Sequence, residues 1–169
     1  MIDGQLTKSG QAVQGVTVTL IERRALQLSW HVVGTALTGP AGNVAVTTPV
    51  LTTNAVFRLV IPGTADSAGV RIIVIPPVSL TLTTGTDGLV DHLVVSTQFA
   101  RAGNIVVLQV ESASGSWQSL REHVLDASGM TRFTVSGTRL ANEMVRVLLL
   151  ATARHGASPS TPVTIPAPS

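Results

Sequence analysis

No cysteine and no tyrosine occur among the 169 residues. The first absence excludes disulfides, thiolate metal sites and cysteine nucleophiles. Aromatic residues make up 3% of the chain and charged residues 12%, the latter about half of the ~25% usual in soluble proteins. A single lysine, Lys8, stands beside ten scattered arginines, and the net charge is +2. There is thus neither the basic stripe nor the aromatic platform that nucleic-acid binding requires. Long apolar runs are missing too. The densest, "MVRVLLLATA" at 144–153, carries Arg146 and falls well short of the roughly 18 residues of a membrane helix. It has the length of a buried strand, and no membrane insertion is expected. The opening "MIDGQLTKSG" lacks the apolar centre of a signal peptide. The expectation is a mature, trimmed or natively unsignalled chain.

What fills the space left by charge is Thr, Ser, Gly, Ala and Val, with an apolar fraction of 44%. Two causes fit such a composition. One is a secreted β-protein with a neutral hydroxyl-rich surface. The other is a subunit whose surface is covered by neighbours, because the cores of interfaces are depleted of charge.

The chain is written twice. Trp30 and Trp117 each follow a serine and lie 87 positions apart, as do Gly42 and Gly129. Gly15 and Gly103 are 88 apart, as are Leu20 in "GVTVTL" and Leu108 in "GNIVVL". "VFRLV" (56–60) answers "MVRVL" (144–148) at 88, and "VIPP" (74–77) answers "TIPAP" (164–168) at 90. Such ordered spacing marks a duplicated unit. Two domains follow, 1–77 and 78–169, with Pro76–Pro77 as a stiff junction that cannot donate to a ladder.

Within each copy, short Val/Thr/Ile/Leu-rich runs alternate with Gly, Pro, Ser and Asn, and no helical period stands out. "VTVTL" (16–20) alternates strictly, as a half-buried strand does. The recurrence predicts antiparallel β-sandwiches. Strands are expected near 2–7, 14–22, 29–37, 43–48, 55–61 and 70–76 in copy one. In copy two they are expected near 78–83, 89–96, 103–111, 117–125, 130–136, 143–151 and 161–166. Copy two opens with an extra segment, "VSLTLTTGTDG" (78–88), that copy one does not match. Either residues 2–7 already serve as the first strand of copy one, the reading we favour, or that domain takes a strand from elsewhere.

The stretches "IDGQLTKSGQAVQGVTVTLIERR" and "SWHVVGTALTGPAGNVAVTTPVLTTNAVFRLVIPG", and the second copy from "GNIVVLQVESASGSWQ" to "VRVLLLATARHG", resemble the Ig-like and carboxypeptidase-regulatory-like (prealbumin-type) β-sandwich modules of bacterial surface and secreted proteins. In that pattern a Trp follows the first hairpin, a Gly turn precedes an aromatic strand, and an aromatic–Arg pair opens a later one. Phe57–Arg58 keeps the pair, and Val145–Arg146 keeps only its Arg. The resemblance implies an all-β fold of two tandem sandwiches. It leaves function open among spacers, adhesins, glycan-binding appendages and tail-fibre or sheath decorations. Some relatives carry Lys–Asn isopeptide crosslinks; with Lys8 alone and no Asn or Asp at 70–77, none is expected.

The residues that could carry chemistry are few. "HVLDASGM" (123–130) sets His123, Asp126 and Ser128 within six positions, the residue types of a serine-hydrolase triad. The duplicate tests this cluster. Its counterparts in copy one are Ala36, Gly39 and Ala41, and only Gly129, matched by Gly42, recurs. A hairpin needs a Gly able to take positive φ, and Asp and Ser cap turns, so a turn is expected. No G-x-S-x-G elbow exists to support a hydrolase, and no enzyme activity is expected. His31, His92 and His155 form no ligand spacing. Asp91–His92 offers two ligands without a third. "TDG" (86–88) and "DASG" (126–129) only faintly resemble calcium loops. No metal or other cofactor is expected.

Trp30, Trp117, Gly42 and Gly129 are the expected structural anchors, with a glycan-stacking role for the two Trp as the alternative. Arg23–Arg24 is expected in a solvated loop. "RIIVIPP" (71–77) and "VRVLLLA" (145–151) do not alternate and read as buried on both faces. If either lies at a sheet edge, Arg71, Ile73 and Ile75, or Val145, Val147 and Leu149, would offer unpaired backbone for edge-to-edge pairing. The expected function is a non-enzymatic structural or adhesive module of an extracellular, cell-surface or particle-surface assembly: a filament, a phage-like tail or capsid (virion), or a surface array. It would self-associate or bind protein partners through β-edges or neutral surface. The alternative is a glycan- or ligand-binding accessory domain pair from a larger secreted protein.

Overall fold

The computed structural model describes residues 1–85 and 90–168. These are all-β. No helix among them is long and apolar enough to cross a membrane. The chain forms two compact units, Met1–Val74 and Ile75–Ser169.

Unit 1 contains β1 (Ile2–Gln5), β2 (Thr7–Lys8), β3 (Gln11–Ala12), β4 (Thr17–Arg24), β5 (His31–Leu37), β6 (Asn43–Val46), β7 (Ala55–Ile61), β8 (Ala65–Asp66) and β9 (Val70–Ile72). β4 shows why these segments are strands. Its β-branched residues favour the pleat, and period two sends Val18, Leu20 and Glu22 inward and the residues between them outward. β4 pairs antiparallel with β5 on one side and β7 on the other, and β8 and β9 extend the sheet beyond β7. The facing sheet is β1 paired with β6. Between the sheets lie Leu20, Val46, Ala55 and Phe57, with Ile2, Leu59 and Ile72 packed around them. Burying a side chain of Leu or Phe size stabilises by about 1.5–3 kcal/mol, so this cluster, in which only Leu20 and Phe57 are fully buried, makes a small core.

Unit 2 contains β10 (Val78–Thr84), β11 (Val90–Thr97), β12 (Ile105–Glu111), β13 (Trp117–Val124), β14 (Met130–Ser136), β15 (Met144–Leu149), β16 (Ser158–Pro159) and β17 (Val163–Thr164). One sheet runs β10–β11–β14. The other runs β13–β12–β15, with β16 and β17 both on the far side of β15. The core between them is larger: Leu93, Val95, Val106, Leu108, Leu125, Phe133, Val145, Val147, Leu149 and Ile165.

The duplication extends to hydrogen bonds. The β4–β5 ladder shifts register after Leu20, and the β12–β13 ladder shifts after Leu108, 88 positions later. Each bulge leaves one residue of the edge strand unpaired, Val33 and Leu120 respectively. Gly15 N–H donates to the Thr38 carbonyl at 2.9 Å, and Gly103 N–H donates to that of Leu125 at 3.1 Å. Leu6 N–H donates to the Gly42 carbonyl, as Thr97 N–H does to that of Gly129. Gly42 and Gly129 have φ of 73° and 75°. A Cβ on Gly42 would collide with the Leu6 carbonyl oxygen, and one on Gly129 would lie 3.0 Å from that of Thr97. Both positions therefore demand glycine twice over, by φ and by space.

The strands depart from those expected in the following ways. The expected strand at 70–76 ends at Ile72. Pro76 and Pro77 cannot donate, Val74 N–H bonds the Asn54 side chain instead, and Ile73 and Ile75 stand 51% and 64% exposed rather than buried. The run at 145–151 is no edge. β15 is paired with β12 on one side and with β16 and β17 on the other, and Val145, Val147 and Leu149 are fully buried. They alternate with half-buried Arg146 and Leu148, so only one face is in the core, and no unpaired backbone is on offer. Short strands were not anticipated. Among them are β2 and β3, joined by Ser9 and Gly10, both at positive φ. The Ser–Gly pair is the local signal for such a primed turn.

Candidate functional site

The hairpin of Asp126 and Ser128 is a capped turn. Asp126 Oδ1 accepts the Ser128 N–H at 2.8 Å, the Ser128 hydroxyl at 2.6 Å and the Met130 N–H at 3.0 Å. These donors, the Ser128 hydroxyl first and the Met130 amide next, hold the Asp126 carboxyl below its ordinary range, because each favours the charged form. The Ser128 proton thus points at a carboxylate rather than at an imidazole. His123 is stacked on Phe133, with ring centroids 4.3 Å apart and planes at 26°. The relay of a triad, nucleophile to base to orienting acid, is not assembled.

The other histidines are dispersed. His31 meets the Ser29 hydroxyl at 3.2 Å. His155 is buried, with Nδ1 2.9 Å from the Gly156 carbonyl and Nε2 3.1 Å from Asn104 Oδ1, and so ties its loop to the turn before β12. Asp91 and His92 are neighbours on β11 and face opposite sides. Asp91 is buried with no hydrogen-bond partner among the described residues, whereas His92 Nδ1 lies 3.4 Å from the Thr134 hydroxyl on the outer face. Period two separates them, so they cannot act as a ligand pair. Among the described residues no three His, Asp or Glu gather to hold an ion. The segment "TDG" (86–88) lies outside the described residues.

The two Trp residues are clasped rather than cored. Both are half-buried. The guanidinium groups of Arg23 and Arg58 each lie 5.0 Å from the centroid of the Trp30 ring, and that of Arg146 lies 4.1 Å from the Trp117 ring. Arg58 and Arg146 sit one residue after the inward Phe57 and Val145, so both clasps lie on the outer face of the larger sheet. Arg24 is also engaged, with Glu22 at 2.8 Å. Arg23–Arg24 therefore belongs to the end of β4 and not to a free loop.

The open edges lie elsewhere than the sequence suggested. β5 ends its sheet with "HVVGTAL". It has no acid, Lys or Arg, and Val32 and Leu37 are 69% and 66% exposed. β13 ends the corresponding sheet but carries Arg121 and Glu122. Arg71 lies on β9, paired to β7 on one side. A further open edge belongs to β1, which pairs only with β6 among the described strands. Beside it runs a cavity of about 360 Å³, lined by β1 and by residues of β7, β8 and β9, including Phe57, Leu59, Ile61 and Val70.

No protein-family model matches this sequence, and no curated protein does. Among solved structures the chain is similar to a tetra-tandem repeat from the extending region of a large adhesion protein. The identity is 13% and the TM-score 0.41, over 92% of this chain and 43% of that one. It is similar to the BSP domain of a biofilm-associated protein at 16% identity and a TM-score of 0.37, over 90% and 25%. It is also similar to β-glucuronidase 3 of Bacteroides uniformis at 12% and 0.33, over 90% and 21%. The chain spans less than half the length of each.

Proposed function

We propose that this chain is a non-enzymatic structural or adhesive module: two sandwiches of the Ig-like or prealbumin-like kind that build or decorate an extracellular or particle-surface assembly. The observation that carries this reading is the β5 edge. Edge strands are normally blunted by charge, Pro or bulges that turn them away. β5 does carry a bulge residue, Val33, but no charged side chain, and it displays Val32 and Leu37 to solvent. The repeated features support the same reading. What both units share is frame, namely bulge, turn bonds and Trp–Arg clasp, whereas His123, Asp126 and Ser128 occur once, the first stacked on Phe133 and the other two holding a turn.

Sedimentation over a wide concentration range tests the proposal. Reversible self-association is expected, and it is expected to be weakened by Val32→Lys, which places a charge on the edge. A strict monomer at the highest concentration, unchanged by Val32→Lys, defeats it. The alternative, a glycan-binding appendage, needs exposed indole faces, and guanidinium groups already lie over both rings.

A further inference from the structure

The outer face of the larger unit 1 sheet gathers three arginines. Val56 on β7 opposes Arg23 of β4 on one side and Arg71 of β9 on the other. Residues directly opposed on neighbouring strands share a face. Phe57, next to Val56, is buried in the core, so Val56 and both arginines stand on the outside. Arg58 lies two positions after Val56 and therefore on the same face. Neighbouring strands run ~4.8 Å apart, which sets the Cα atoms of Arg23 and Arg71 ~10 Å from each other across Val56. Two arginine side chains span such a gap. The guanidinium groups of Arg23 and Arg58 already converge on Trp30.

These charges are unpaired. Among the described residues the one ion pair joins Arg24 to Glu22, and Glu22 belongs to the inner side of β4. Asp66 shares the outer face, opposite Val60, but makes no ion pair with Arg58. Arg58 Nε has no acceptor among the described residues. Contact with an indole uses only the face of a guanidinium. Its N–H donors lie in the plane of the group, which leaves them for a ligand. Like charges on neighbouring strands repel, so an anion placed among the three relieves that repulsion.

Unit 2 shows the same place neutralised. Glu111 opposes Trp117 and stands 88 positions after Arg23. Thr164 opposes Met144 as Arg71 opposes Val56. Gln109 takes the place of Ile21 and accepts a hydrogen bond from Arg146. Where unit 1 sets three arginines, unit 2 sets one arginine, a carboxylate, an amide and a hydroxyl.

We infer that Arg23, Arg58 and Arg71 form a binding site for a tetrahedral oxyanion, a sulfate or phosphate group. Guanidinium donors match such oxygens in pairs. A carboxylate has two oxygens, and one guanidinium satisfies both; a tetrahedral dianion has oxygens for all three arginines. The group is either the free ion or an ester on an acidic polysaccharide, which presents the same oxygens. Arg23 and Arg71 are exposed, so salt weakens the attraction. A polymer carrying many such groups binds more tightly than the ion alone. The inference goes beyond the assembly reading and stands without it, because it uses a sheet face and not the β5 edge.

The two Trp residues give two indole N–H signals in NMR spectra, told apart with Trp117→Phe. Sodium sulfate, titrated into the whole chain at constant ionic strength, is expected to move the Trp30 signal to saturation and to leave that of Trp117 in place. Sodium acetate is expected to move neither. Arg23→Glu, which copies unit 2, is expected to abolish the response. Arg71→Gln, at an exposed position outside the Trp30 clasp, is expected to weaken it about tenfold, the scale of one charged hydrogen bond. It keeps the test decisive should Arg23→Glu unfold unit 1. Heparin, a sulfated polysaccharide, is the second probe. Arginine-dependent binding tighter than that of sulfate identifies the ester as the ligand, and binding no tighter per sulfate group identifies the free ion. No shift at Trp30, equal shifts of both indoles, an equal response to acetate, or full binding by both arginine variants would overturn the inference. Sedimentation with Val32→Lys reads β5 separately. Loss of sulfate binding with self-association intact removes the oxyanion site alone, and the reverse removes the assembly reading alone.

Discussion

Arg146 donates its Nε hydrogen to Gln109 Oε1 at 2.9 Å, directly across the β12–β15 ladder. Arg58 occupies the same place in unit 1 but faces Ile21 across the β4–β7 ladder, and its Nε is buried without an acceptor among the described residues. The two units thus make the same clasp with different support. An unsatisfied buried donor costs about 1–3 kcal/mol. Gln109→Ile is therefore expected to destabilise unit 2 by about that amount. Ile21→Gln is expected to leave unit 1 unchanged or more stable, despite the lost apolar area. Denaturant unfolding, read separately through Trp30 and Trp117, checks both.

The clasps themselves are testable. A cation–π contact at a partly exposed site is worth about 0.5–1 kcal/mol. Arg146→Gln should remove this from unit 2, and Arg58→Gln should cost unit 1 less. The reason is that Trp30 keeps Arg23 at 5.0 Å and Arg58 loses no hydrogen bond through Nε. Equal losses in the two units would contradict this account.

The hairpin glycines should rank by space. Gly42→Ala and Gly129→Ala force a Cβ both into positive φ and against a backbone carbonyl, so each should cost more than ~1 kcal/mol. Gly42 should be the worse of the two, since its Cβ approaches the Leu6 carbonyl more closely. Gly103 has φ of 87° but nothing within 4 Å of the added atom, so Gly103→Ala should carry the strain alone and cost least. Thermal melts of the three variants decide the order.

Asp126 predicts a pH dependence with a definite sign. Its carboxyl is held below the ordinary value by the Ser128 hydroxyl and the Met130 and Ser128 amides. A group whose folded value is lowered contributes stability above its unfolded value and loses it as pH falls through the folded one. Wild type should therefore exceed Asp126→Asn in melting temperature near neutrality. The gap should close as the solution is acidified below ~4, the unfolded carboxylate value. Ser128→Ala should narrow the gap, since it removes the first of the donors. A gap that persists into strong acid would show that the carboxylate is not its source.

Much of the fold was legible locally. The alternation of "VTVTL" places β4, and the matched Gly42 and Gly129 lie in turns where φ is positive and an added Cβ would be crowded. The same comparison of copies dissolved the His123–Asp126–Ser128 cluster into a turn, because only the glycine recurred. Nothing local in the sequence says that Trp30 lies under Arg58 and Trp117 under Arg146, each from a strand far along the chain.

Side-chain period is a property of a few consecutive residues, so the longer strands, such as β4, β7 and β14, are legible in the sequence, whereas the two-residue strands β2, β3 and β8 are not. Whether a strand is central or free is a property of its neighbours. "VRVLLLA" is apolar enough for an edge or a core, and only its partners on both sides made β15 interior. "IDGQ" reads as an ordinary first strand, and only the tertiary arrangement showed it to be the counterpart of β11. Backbone hydrogen bonds join residues remote in the chain, and that is why the edges, and with them the surfaces available to a partner, were decided by the fold.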